Sequence, residues 1–173
     1  MKFSLVTVTF NSARTFRDTI NSVLSQTYQD LEYIIVDGLS SDGTVEIIKE
    51  YESLFCGRMK WISEKDYGLY DAMNKGFRMA TGEIVGIINS DDLIADPAAI
   101  EKVVKCFEDD GSIDAVYADL YYVAQNDTSK IVRHWKSRKQ RSFTKGWHPA
   151  HPTFYVKRYI CLLYTSDAAD DLI

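Results

Sequence analysis

The stretch Leu31-Glu32-Tyr33-Ile34-Ile35-Val36-Asp37-Gly38-Leu39-Ser40-Ser41-Asp42-Gly43-Thr44 decides the fold. It opens on an apolar run of strand length, breaks at Asp37-Gly38, and leads through Asp42, a helix-capping residue type, into Val45, Ile48 and Tyr51 at helical spacing. Apolar residues on consecutive positions suit a buried strand. The same unit recurs on either side. Phe3 to Val8 reads as a strand, followed by Phe16, Ile20, Val23 and Leu24 on one helical face, with Asn11 or Ser12 as the cap. Met59 to Ile62 reads as a third strand, and Leu69, Met73, Phe77 and Ala80 as a helix that Gly82 stops. Glu83 to Ile88 is a fourth strand, ending at Asn89-Ser90-Asp91-Asp92. Asp96-Pro97 opens a further helix, with Pro at its first position and Ile100, Val103, Val104 and Phe107 on one face. Ile113 to Tyr117 is another strand. Alternation of this kind predicts an α/β fold with a mostly parallel sheet flanked by helices. Past Asp119 the pattern changes, and Leu120 to Val123 with Lys130 to Trp135 suits a hairpin around Asn126-Asp127.

A chain of 173 residues suits one domain with its own core, and 46% apolar against 26% charged residues is the balance of a folded domain. Twenty Lys and Arg against twenty-five Asp and Glu give a net charge of −5, which argues against nucleic acid as the main partner. Cys56, Cys106 and Cys161 are too few and too irregularly spaced for a disulfide framework or a zinc site. Reduced cysteines fit a cytoplasmic chain. The longest apolar runs are strand-sized, and Met1 does not open a basic-then-apolar leader, so the expectation includes neither a membrane span nor a signal peptide.

In an open parallel sheet, ligands bind at the carboxyl ends of the strands. Polar residues gather at those ends here: Thr9-Phe10-Asn11 after the first strand, Asp37 after the second, Asp66 beyond the third, and Asp91-Asp92 after the fourth. Any one of them is explained by turn chemistry, because Asp, Asn and Gly serve turns for backbone reasons. Four at one edge exceed that explanation. Missing motifs narrow the ligand. No G-x-G-x-x-G follows the first strand, and neither a P-loop nor a G-x-S-x-G elbow occurs. Adjacent carboxylates after a strand suit a hard divalent cation bridging diphosphate oxygens, and a carboxylate such as Asp37 can accept a nucleobase N–H. The reading is a nucleoside-diphosphate ligand with Mg²⁺ or Mn²⁺.

Thr9-Phe10-Asn11, the block from Asp37 to Thr44, the block from Asp66 to Gly76, and Thr81-Gly82-Glu83 with Asn89-Ser90-Asp91-Asp92 occur in that order. Together they resemble the family 2 glycosyltransferases with the GT-A fold, particularly those building bacterial O-antigen and exopolysaccharide repeats. The resemblance covers Met1 to about Ile160. It implies that Thr9, Asn11 and Asp37 hold the nucleoside, with Asp37 facing the base, and that Asp66 and Asn74 line the nucleotide-sugar pocket. Asp91 and Asp92 match the region whose carboxylates bind metal and ribose. Asn89 stands where many relatives carry the first Asp, so the pattern does not choose between Asp91 and Asp92 as the metal ligand. The implied chemistry is inverting displacement at the anomeric carbon of a UDP-type sugar, with the acceptor a glycan or a polyprenyl-diphosphate-linked glycan. In relatives the general base is a carboxylate after the His-Pro segment, in a region beyond Ile160, so the expectation is a fragment that lacks its general base.

Gly146-Trp147-His148-Pro149-Ala150-His151-Pro152-Thr153-Phe154 is similar to the family's acceptor-side segment. His148 and His151 there suit either a metal or phosphate contact or a structural turn. The run from Lys130 to Lys145 holds seven Lys or Arg and no acid. It reads as a solvated hairpin, or as a contact for an anionic membrane surface or a lipid-linked diphosphate. Residues from about Cys161 continue no periodicity and resemble a translated sequencing adapter, so the expected domain is 1–160 with a foreign tail at 161–173. Two rival functions remain beside transfer. A sugar-phosphate nucleotidyltransferase would want a glycine-rich basic loop after the first strand, where Thr9 to Arg14 offers only Arg14. A non-catalytic nucleotide-sugar binding module would bind donor without turnover.

Overall fold

The computed structural model describes residues 1–139 and 148–165, with side chains through Cys161. Strand β1 (Phe3–Thr9) leads to helix α1 (Phe16–Leu24), β2 (Leu31–Asp37) to α2 (Thr44–Glu52), β3 (Met59–Ser63) to α3 (Leu69–Met79), and β4 (Ile84–Ile87) to α4 (Ala99–Asp109). A short β5 (Ala115–Tyr117) follows, then β6 (Leu120–Ala124), β7 (Asp127–Trp135), β8 (Phe154–Lys157) and α5 (Arg158–Thr165). One sheet has the order β3-β2-β1-β4-β8-β5, while β6 and β7 form a separate two-stranded ribbon. The four strands β3, β2, β1 and β4 are parallel, and β8 runs antiparallel between β4 and β5.

Every residue of β1 and β2 is buried, as the consecutive apolar run requires. Because side chains alternate across a strand, the two strands feed two cores. Phe3 and Leu5 with Tyr33 and Ile35 pack among α1, α2 and α4, through Ile20, Ile48, Ile100 and Phe107. Val6 and Val8 with Ile34 and Val36 face the other way, toward Ala72 and Ala80 of α3 and its C-terminal flank. Gly76 lets α3 lie close on the sheet, since a Cβ there would stand 2.4 Å from Val6 Cγ1. Cys161 of α5 is half-buried on this second face, and burial pushes its thiol up to about 11.

Several local expectations shift. Helix α1 starts at Phe16 with Thr15 in the cap position, and neither Asn11 nor Ser12 caps it by a side-chain bond. Helix α2 buries Thr44, Ile47, Ile48 and Tyr51, leaving Val45 half-buried, because the face turned to the sheet starts one residue earlier. Its cap position is Gly43 in the left-handed region, with Asp42 one residue earlier accepting the Thr44 N–H. Helix α4 begins at Ala99, after a turn in which Asp96 accepts the Ala98 and Ala99 N–H groups. The hairpin is present with wider bounds. The sequence reading did not foresee β8. No helix among the described residues is long and apolar enough to cross a membrane.

Candidate functional site

Register places the polar strand ends side by side. Thr9 is paired with Asp37, and Asp37 with Ser63, so the last rungs of β1, β2 and β3 form one row. Asp37 is fully buried. Its Oδ1 accepts the Ser40 hydroxyl at 2.5 Å, and its Oδ2 accepts the Ser40 N–H at 3.0 Å and the Ser63 hydroxyl at 2.6 Å. A carboxylate offers about four acceptor sites, so about one is left. The Thr9 hydroxyl beside it is buried without a partner among the described residues. A buried polar atom of that kind calls for a ligand, a water or a functional role.

The loops that follow the strands are laced to one another. Asn11, at a positive φ of 49°, donates its N–H to Ser40 Oγ and accepts the Ser41 N–H on its side-chain oxygen at 2.9 Å. Ser12 N–H donates to Thr44 Oγ1, and Ala13 N–H to Asp42 Oδ2. These bonds explain why Asn11 and Ser12 leave the helix uncapped: they are used across loops instead. The hydroxyls of Ser12 and Ser90 lie 2.9 Å apart, and Thr15 Oγ1 donates to the Ser90 carbonyl. The loop carrying Asp91 and Asp92 is thereby tied to the loop carrying Asn11.

Asp66 arrives from the other side. Its Oδ2 lies so close to Gly38 that a Cβ there would stand 2.6 Å from it, and its Oδ1 accepts the Gly68 N–H at 2.9 Å. A side chain at position 38 would thus press on the Asp66 carboxylate, while the backbone there makes no demand for glycine. Gly68 meets the conformational demand, with φ 115° at the start of α3. Thr9, Asn11, Asp37 and Asp66 therefore share one edge. Asn74, half-buried on α3, makes no side-chain hydrogen bond among the described residues.

Asp91 is exposed and Asp92 half-buried. Asn89 Nδ2 donates to Asp92 Oδ2 at 2.7 Å. Burial pushes the Asp92 carboxyl above its ordinary range; the Asn89 amide opposes this, Asp91 adds to it, and His151 opposes it. Two adjacent carboxylates, one of them raised, suit a divalent cation that takes its other ligands from phosphate and water. No group of three or more His, Cys, Asp or Glu poised for a metal occurs among the described residues.

The two acceptor-side histidines part company. His151 sits where its charge reaches Asp92. His148 instead packs edge-on to Trp135 of β7, with ring centroids 5.7 Å apart. Of the basic run and the His-Pro segment, Arg141, Phe143, Lys145, Gly146 and Trp147 lie outside the described residues, as does 166–173 of the expected tail. Sequence reasoning missed Ser40, Ser63, Ser12 and Ser90 as the fasteners of the site. Serines in turns carry no local mark of a tertiary role.

A parallel sheet flanked by helices, with carboxylates at its carboxyl edge, defines the class: a GT-A glycosyltransferase fold. The family model described as glycosyl transferase family 2 matches residues 4–166, and the chain belongs to that family. An uncharacterised glycosyltransferase of Methanocaldococcus jannaschii is 30% identical over 165 residues, covering 91% of this chain and 56% of that protein. A PGL/p-HBAD biosynthesis glycosyltransferase of Mycobacterium bovis is 30% identical over 72% of this chain and 48% of its own length. Among solved structures, the mannosyltransferase PcManGT of Pyrobaculum calidifontis, in complex with GDP-Man and Mn²⁺, superposes with TM-score 0.63 at 25% identity, over 74% of this chain and 37% of its own. S. aureus TarS, in complex with UDP-GlcNAc, shares the fold with TM-score 0.71 at 20% identity, over 94% of this chain and 47% of that one. The chain spans about a third to just over half the length of these curated relatives.

Proposed function

We propose that this chain binds a nucleotide-diphosphate sugar, with a UDP-type donor favoured, and serves inverting, metal-dependent transfer of the sugar to a glycan or lipid-linked acceptor. The observation that carries the reading is the lacing of the loops after β1, β2 and β4, with Asp66 pressed on Gly38, which gathers the polar residues at one edge. In this reading Thr9, Asn11 and Asp37 hold the nucleoside. Asp37 fixes the Ser40 and Ser63 hydroxyls and keeps its remaining acceptor site for a base N–H. Asp66 and Asn74 border the sugar. Asp91 and Asp92 would hold Mg²⁺ or Mn²⁺, which would neutralise charge on the departing diphosphate. In this reading His151, which acts electrostatically on Asp92, and His148, three residues before it, are the acceptor-side candidates. The complexes of PcManGT with GDP-Man and Mn²⁺ and of TarS with UDP-GlcNAc support a nucleotide sugar as the donor class. We place this chemistry in the cytoplasm, with domain 1–160 carrying the donor site and 161–173 foreign to it.

The test is thermal denaturation of the full chain with UDP, GDP and their sugars, with Mn²⁺ or with chelator. UDP with Mn²⁺ is expected to raise the melting temperature, the chelator to reduce the rise, and Asp37→Ala to abolish it. No rise with any nucleoside diphosphate overturns the reading. Donor binding without hydrolysis or transfer to any acceptor would favour the binding module.

A further inference from the structure

The ribbon of β6 and β7 meets the segment His148–Ala150 across a cavity of about 480 Å³. Arg133, Lys136 and Arg138 line it together with His134, His148 and Trp135, and among the described residues its lining includes no carboxylate. In a chain of net charge −5 this is a concentrated positive site. Asp119, which touches two of the lining residues, is already engaged: it accepts the Ser137 N–H at 2.7 Å and lies 2.8 Å from His134 Nε2.

The walls are built rather than loose. The Ala118 carbonyl accepts the hydroxyls of both Ser137 and Thr153, which fastens the end of the ribbon to the chain just before β8. The edge-on contact of Trp135 with His148 adds a second fastening. Arg133 is held over two rings, with its guanidinium carbon 5.5 Å from the Tyr122 centroid and 5.7 Å from that of Trp135. None of Arg133, Lys136 and Arg138 forms an ion pair among the described residues. A guanidinium placed over aromatic rings keeps its N–H groups for a planar or tetrahedral oxyanion, and phosphate is the anion such a fork matches.

We propose that this cavity is an anion subsite separate from the donor edge, which takes the phosphate or diphosphate ester group of the acceptor, with Arg133, Lys136 and Arg138 as its binding residues. The proposal deepens the transferase reading and rests on it for the word acceptor; the anion site itself does not. Its place fits, because the segment that forms one wall continues within three residues to His151, beside Asp92. A phosphate held here would leave the attached sugar or lipid free to extend along the exposed ribbon, where Val123, Ile131 and Val132 stand open.

The experiment is calorimetric titration of the full chain, first saturated with UDP and Mn²⁺, with inorganic pyrophosphate, farnesyl diphosphate and a phosphate-free oligosaccharide. Pyrophosphate and farnesyl diphosphate are expected to bind, and the oligosaccharide to bind at least tenfold more weakly. Arg133→Ser with Arg138→Ser is expected to lower diphosphate affinity at least tenfold, with UDP affinity and melting temperature unchanged. Tighter binding of farnesyl diphosphate than of pyrophosphate identifies a lipid-linked source, and equal binding a soluble phosphate ester. Absence of diphosphate binding, an unchanged double variant, or binding only to phosphatidylglycerol vesicles overturns the proposal. Should UDP fail to bind while pyrophosphate still does in an arginine-dependent way, the donor reading fails and the anion site stands.

Discussion

Strand β2 carries a buried acid near each end, and the two are treated differently. Glu32, 3% exposed, is surrounded by donors: the Ser4 hydroxyl at 2.5 Å, the Thr81 N–H at 2.5 Å, the Gly82 N–H at 3.1 Å, and the ammonium groups of Lys2 and Lys60 at 3.0 and 3.1 Å. Asp37, five positions on, has serine donors and no cation within salt-bridge distance among the described residues. Glu32 is saturated and compensated, so it clasps β1, β2, β3 and the approach to β4 at the amino edge. Asp37 keeps acceptor capacity and lies beside the unpartnered Thr9 hydroxyl. Saturation marks a structural acid, and residual capacity marks one that can meet a ligand.

The largest break in this comparison comes from Glu32→Ala, which leaves the Thr81 N–H without its acceptor and the Lys2 and Lys60 ammoniums without their shared carboxylate. It is expected to lower unfolding free energy by about 3–5 kcal/mol in urea titrations. Asp37→Ala, in the same assay, should cost only about 1–3 kcal/mol while removing nucleotide binding. Acid should separate the two ends as well. Burial pushes the Glu32 carboxyl up, but the Ser4 hydroxyl, the Thr81 N–H and Lys2 pull it down to about 2 from an ordinary 4.5. Its stabilisation is complete above the unfolded value and is lost as pH falls toward the folded one. Unfolding free energies from urea titrations should therefore drop between those values by about 3 kcal/mol, and Glu32→Gln should flatten the drop.

Gly38→Ala sharpens the comparison at the other end. The added methyl displaces the Asp66 carboxylate, a flexible group, so stability should barely move. Nucleotide-sugar affinity should fall about tenfold or more by calorimetry, since a shift of about 1 Å is costly in a site. Lys60→Ala is the smallest change. Lys2 remains on Glu32, so the loss in urea should stay within about 1 kcal/mol.

The parallel half of the sheet was legible because its strands are covered on both faces and read as unbroken apolar runs. The placement of the candidate residues was legible where one sits at a strand end, as Thr9 and Asp37 do. Asn11 and Ser12 misled because their preference for helix caps is local, whereas Ser40 and Thr44, which engage them here, lie about 30 residues away. The strand β8 is four residues long, with only Tyr155 fully buried, too short for a period to declare itself. The positive cavity was legible as a run of charge but not as a cavity, because its second wall comes from His148–Ala150.

The reversed strand also sets an order of assembly. The strands β3, β2, β1 and β4 find their partners within the first half of the chain, whereas β5 pairs only with β8, which is made about 40 residues later. During synthesis the Ala115–Tyr117 edge has no neighbour until Phe154–Lys157 emerges, and such long-range pairing is the slow step of sheet formation. The carboxyl edge of β1 to β4 is thus made before the wall built from His148–Ala150 exists, so the proposed nucleotide site precedes the proposed anion site.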